Sequence, residues 1–155
     1  MPSEVQRIRQ LLERTYDGDA WHGSSVRQIL TSLSPTQALQ RIGDSHNAIE
    51  LVWHMIAWRG FVIQRLKGDD TYELSEEDNW SSICSLSQAA WQQAQDALAQ
   101  RQQDLLTALD RLPVERLEKT VAYRSYNYYV LLQGIIQHDL YHVGQIRLLT
   151  QYGQC

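Results

Sequence analysis

Residues 131–153 read LLQGIIQHDLYHVGQIRLLTQYG. Leu131, Ile135, His138, His142 and Leu149 recur at helical spacing and share one face. Residues four apart on a helix lie about 40° apart and one turn along the axis. His138 and His142 therefore point the same way. Gln145 sits beside them, about 60° round from His142. The face is otherwise apolar and turns inward, where an imidazole is costly unless it is bonded. A metal ion bonds two imidazoles at once, as in the paired histidines of zinc protease helices. The competing reading is a pair of core histidines bonded to their neighbours. HDLYH also resembles the protease pattern HExxH, with Asp139 at the Glu position. That activity is excluded, because such enzymes take a third ligand from downstream. Only VGQIRLLTQYGQC follows His142, without a His, Asp or Glu.

A third ligand must come from upstream, and HNAIELVWHMIAWRGFVIQRL, residues 46–66, supplies one. His54 shares its helical face with Glu50, Leu51, Trp58 and Phe61, an inward face with an imidazole at its middle. His46 lies about two turns earlier and about 80° round, near the helix start, where solvent or capping roles prevail. Three neutral nitrogens from His54, His138 and His142 leave at least one position open, the pattern of catalytic rather than structural sites. Imidazole ligands suit Zn, Ni, Cu or Fe(II). A di-iron centre is excluded, since it needs four carboxylates and two Glu-x-x-His motifs.

The rest of the chain supports a helical frame. Val5, Ile8, Leu11, Leu12 and Tyr16 form one stripe behind a Ser3 N-cap. YDGDAWHG ends that helix, and SSVRQILTSL forms a short extra one. SPTQAL follows, with Ser34 as cap and Pro35 at the first helical position. A long helix runs from about Ser45 to Lys67, capped by Asp44 or Ser45. Residues 68–83 read as an acidic loop with little regular structure. A third long helix, about Ser85 to Leu112, spans on the order of 42 Å and ends at Pro113. VAYRS, from Val121, reads as a short extended piece. The last helix runs from about Asn127 to Tyr152, with Gly153 just past its end. Four long amphipathic helices without a strand pair make an all-α four-helix bundle in one domain, 1–155.

Composition narrows the function. The chain has 155 residues and a net charge of −4. No basic stripe offers phosphate contacts, so nucleic acid is not an expected partner. No apolar run reaches the ~18 residues of a membrane span. Two cysteines, Cys84 and Cys155, make no disulfide framework, and the first residues carry no apolar leader segment. A cytoplasmic protein acting on a small molecule is expected.

AIELVWHMIAWR, followed about 80 residues later by GIIQHDLYHVGQIRLL, resembles the DinB/YfiT-like superfamily, as does the early DGDAWHGSSVRQIL. The resemblance covers most of the chain. It implies an up-down-down-up bundle in which His54, His138 and His142 hold one divalent ion, zinc or nickel. It also implies a homodimer. Some members of the family are thiol-dependent transferases or isomerases, and others are called metal-dependent hydrolases. The chemistry expected is S-transfer, with a low-molecular-weight thiol as cosubstrate held as thiolate by the metal. The alternatives are hydrolysis by a metal-activated water and a non-enzymatic stress-related binding module.

Several residues are candidates around this site. Gln145 can bond a water on the metal. Glu50, one turn before His54, can orient it or serve as a charge favoured near a helix start. Asp139, about 100° from His138, can reach a histidine's far nitrogen or a backbone group. Trp58 packs the core or seats a substrate, and Tyr141 and Tyr126 can line a pocket.

Overall fold

The computed structural model describes residues 1–80 and 87–152. Among these the regular structure is helical: α1 (Glu4–Asp17), α2 (Val26–Thr31), α3 (Pro35–Ala38), α4 (Ala48–Lys67), α5 (Glu76–Asn79), α6 (Gln88–Asp110), a 3-10 turn (Val114–Glu118) and α7 (Tyr128–Tyr152). Strand-like pairing among the described residues amounts to two isolated bridges.

Local chemistry sets the helix starts. Ser3, Ser25 and Ser34 each accept an N–H from the third residue of their helix, whose Gln side chain accepts the cap's own N–H. Pro35 opens α3. Asn47 caps α4: its Oδ1 accepts from the Glu50 N–H at 2.9 Å, and Glu50 Oε2 accepts from the Asn47 N–H at 2.9 Å. The cap thus falls two or three residues later than the Asp44 or Ser45 expected. Gly68, at φ 89°, closes α4 in the left-handed conformation that glycine adopts without strain.

Three expectations are corrected. The acidic loop after Lys67 contains α5, because the Ser75 hydroxyl accepts the Asp78 N–H at 3.0 Å and starts a turn of helix. VAYRS is a turn rather than an extended piece. Val121 N–H donates to Tyr126 O at 2.9 Å, Arg124 N–H donates to Val121 O at 3.0 Å, and Tyr123 has φ 57°. The third long helix ends at Asp110, two residues before the Leu112 expected, and Ser87 stands as a cap at its start. The Ser85 start, Cys84, the end of the acidic loop, Gly153 and Cys155 lie outside the described residues.

The buried apolar residues form two clusters, and their membership gives the topology. One joins Val5, Ile8 and Leu12 of α1 to Phe61, Val62 and Leu66 of α4, to Leu105 and Leu109 of α6, and to Leu131 and Ile135 of α7. The other joins Tyr16 to Leu51, Val52 and Met55, to Trp91, Ala94 and Leu98, and to Val143, Ile146 and Leu149. The start of α4 lies with the start of α6, but with the end of α1 and the end of α7. Helices α4 and α6 therefore run together, opposed by α1 and α7, which is the up-down-down-up bundle. Burying each Leu or Ile contributes about 1.5–3 kcal/mol. Between the two clusters lies a polar stratum: His54 and Arg59 on α4, Gln102 on α6, and His138, Asp139 and His142 on α7. No helix among the described residues is long and apolar enough to cross a membrane.

Candidate metal centre

The stratum brings His54, His138 and His142 together. His138 Nε2 lies 3.0 Å from His54 Nε2 and 3.1 Å from His142 Nε2. His54 and His142 are each 6% exposed, and His138 is partly buried. One ligand-capable atom from each residue lies within 4.8 Å of the others. Helix α7 supplies two of the rings one turn apart, and α4, running the opposite way, supplies the third.

Hydrogen bonds fix two of the rings. His54 Nδ1 lies 2.9 Å from the Asn79 carbonyl, which can only accept, so Nδ1 carries the proton and Nε2 a lone pair. His142 Nδ1 lies 2.7 Å from Gln145 Oε1 and is protonated for the same reason. Two lone pairs thus face His138 Nε2, which can donate to only one of them. His138 Nδ1 is itself buried without a partner. Protonating a ring does not resolve this. Burial drives the His138 pKa down to about 3, helped by His142, His54 and the Arg59 charge. Burial also lowers His54 and His142, against the bonds from Asn79 and Gln145. Neutral imidazoles with convergent lone pairs are the form that ligates metal. Nitrogens about 2.0–2.1 Å from a common ion stand roughly 3.0–3.4 Å apart for ordinary coordination angles. The donor set therefore fits a divalent ion.

The end of α5, Asn79, and Trp80 just after it close one side. Asn79 uses its carbonyl on His54 and its Oδ1 on Trp58 Nε1, 2.9 Å away. The Trp80 ring lies between His54 and His46, with centroids 3.9 and 3.7 Å away and planes within 9° and 5° of parallel. His46 therefore reaches the site through Trp80. Asn79 and Trp80 come from the supposed plain loop; the signal that could have located them is SEED, residues 75–78, a Ser-x-x-Asp capping pattern.

The other candidates separate clearly. Gln145 is in place, and its Oε1 orients His142. Glu50 is turned away: it closes the α4 cap and pairs with Arg41. Asp139 is also corrected. It is 1% exposed and makes two bonds to the fully buried Arg59, at 2.7 and 2.6 Å. Burial pushes its carboxyl up, to about 6, against the pull of that guanidinium. Arg59 Nε reaches Gln102 Oε1 at 3.3 Å, and Gln102 donates to the Leu12 carbonyl at 3.2 Å, so the network ties together four helices. Trp58 stands edge-on to His54. Tyr141, largely exposed, stands edge-on to His142 with centroids 5.1 Å apart.

The groove between α4 and α7 opens on both sides of the histidines. Toward the start of α4, a cavity of about 480 Å³ is lined in part by Ser45, His46, Trp80, Tyr141, His142 and Gln145. Toward its end, a cavity of about 280 Å³ is lined in part by Trp58, Val62, Tyr126, Leu131, Gly134 and His138. No Lys, Arg, Asp or Glu among the described residues lines either one.

An up-down-down-up bundle with a buried three-histidine cluster between its second and last long helices defines a class of helical proteins with a cluster that could bind a metal. The chain belongs to the DinB superfamily, whose family model matches residues 20–146. No curated protein and no solved structure matches the chain.

Proposed function

We propose that this chain is a metal-dependent enzyme of the S-transfer type, with one divalent ion, zinc or nickel, held by His54, His138 and His142. The observation that carries the reading is that His138 Nε2 stands 3.0 and 3.1 Å from the Nε2 atoms of the other two rings, with no fourth His, Cys, Asp or Glu in the group among the described residues. When bound, such an ion supplies Lewis acidity that keeps a thiol in its thiolate form. The chain's own residues supply the rest. Asn79 and Gln145 fix the ring tautomers, Trp80 shields His54, and the two cavities admit small molecules to the cluster. Glu50 and Asp139 are each committed to an arginine, so neither carboxylate serves as a base. A thiol held as thiolate by such an ion would need none. In the reaction the thiol proton leaves to solvent, a sulfur–carbon bond forms, and the bond from that carbon to its leaving group breaks.

The test begins with elemental analysis of untagged protein. One ion per chain is expected in the wild type and none in His142→Ala or His54→Ala, with helical circular dichroism retained. Unchanged stoichiometry in both variants rejects the ligand set. Loaded protein is then assayed with cysteamine and an activated aryl halide, following halide release. Turnover that needs both metal and thiol supports transfer. Hydrolysis of an aryl ester without thiol would move the assignment to a metal-activated water.

A further inference from the structure

The smaller cavity differs from the larger one in a way that bears on the substrate. Trp58 and Val62 of α4 face Leu131, Gly134 and Ile135 of α7, and the row ends at His138. Trp58 is held in place by its bond to Asn79 Oδ1, so this wall is fixed to the same residue that orients His54. The larger cavity, by contrast, carries the hydrogen-bonding groups Ser45, His46 and Gln145.

Gly134 is the informative residue. It lies within the 25-residue helix α7, where glycine is among the poorest choices. Two ordinary reasons for a helical glycine are a positive φ and close approach of another segment. Neither applies: its φ is not positive, and a Cβ built there meets no atom within 4 Å. What the missing side chain leaves is space on the cavity wall, one turn before His138. An apolar cavity of ~150 Å³ can take up benzene, so about 280 Å³ accommodates a ring with substituents.

We propose that this cavity seats the uncharged, apolar part of the electrophilic substrate, an aromatic or branched aliphatic group, and presents its reactive carbon to the histidine cluster. The larger cavity on the other side, which carries the hydrogen-bonding groups, is left for the thiol. This assignment rests on reading the cluster as the reaction centre.

The experiment compares 2-naphthol, uncharged at pH 7, with 2-naphthoate, by titration calorimetry on metal-free protein, so that a carboxylate cannot bind through an ion. Wild type is expected to bind naphthol at least ten-fold more tightly than naphthoate. Gly134→Leu, which fills the cavity, is expected to weaken naphthol at least ten-fold with its helical content unchanged. Gly134→Ala serves as the variant that the helix tolerates: its Tm should rise by a few degrees while naphthol affinity falls, a combination that a purely structural glycine does not give. Equal binding of the two probes, or naphthol affinity within two-fold of wild type in Gly134→Leu, overturns the proposal. So does a wild-type dimer that Gly134→Leu converts to monomer in sedimentation, since the cavity would then be a subunit interface. Metal stoichiometry is measured separately. A protein that binds naphthol but no ion retains the cavity and loses the reaction centre, and one that binds the ion but no naphthol does the reverse.

Discussion

Two buried polar groups lie side by side in the middle of the bundle, meeting at neighbouring positions of α7, and they handle burial in opposite ways. Arg59 and Asp139 are charged and matched: two short bonds join them, and Gln102 takes the remaining guanidinium edge. The three histidines are neutral and unmatched: two lone pairs face a single possible donor, and His138 Nδ1 has no partner. A matched cluster needs nothing from outside and works as a brace. An unmatched one remains costly until something fills it. The distinction between brace and site is therefore a matter of whether the hydrogen bonds close, and burial alone does not draw it.

The largest effect should come from breaking the brace. Asp139→Ala leaves the Arg59 guanidinium buried and unpaired, and should cost about 3–5 kcal/mol in urea unfolding. Arg59→Met combined with Asp139→Leu should recover most of that loss, since an apolar replacement leaves no stranded charge. A double variant as unstable as the single one would mean that the pair does more than fill space.

A smaller effect should follow from loosening one ring of the cluster. Gln145→Ala leaves His142 in place but frees its Nδ1, and the affinity for zinc should fall about 10–100-fold while metal-free stability hardly changes. Competition with a chromophoric chelator measures the first, and thermal unfolding the second. Equal zinc affinity in the two proteins would remove Gln145 from the site.

The last effect, no more than about 1.4 kcal/mol within any one pH unit, is a difference in acid sensitivity. The folded pKa of His138 is depressed to about 3, below its ordinary value of 6.5. The unfolded chain therefore takes up the proton first as pH falls. The contribution of His138 is complete above about pH 6.5 and is lost on the way down toward pH 3, with a slope no steeper than about 1.4 kcal/mol per pH unit. Metal-free wild type should lose stability relative to His138→Gln across that window, as read by chemical denaturation at stepped pH. Parallel curves for the two proteins would show that the ring titrates as if exposed.

The amount of this that the sequence discloses varies with how local the cause is. The long helices are legible because stripes and caps are local: Ser3 with Gln6, and Ser34 with Pro35, declare themselves within four residues. His138 and His142 are legible because one helical turn puts them on one inward face, and His54 because it stands alone on an oily one. NAIE, residues 47–50, carries the capping box that both starts α4 and occupies Glu50, so that correction was also within reach. The Arg59–Asp139 pair was not, since its partners lie 80 positions apart and nothing near either one names the other. The same holds for Asn79: it works on His54 through a main-chain carbonyl, and a carbonyl leaves no trace in residue identity.

The distance between the ligands along the chain governs when an ion can be captured. His54 and His138 are 84 positions apart, so the third nitrogen arrives only after α4 and α7 have docked. The entropy of closing that span is lost before the ion can repay it. An ion bound there would therefore act on the way out of the native state and not on the way in. It would slow unfolding and leave the refolding rate nearly as it was, a lock on a finished bundle.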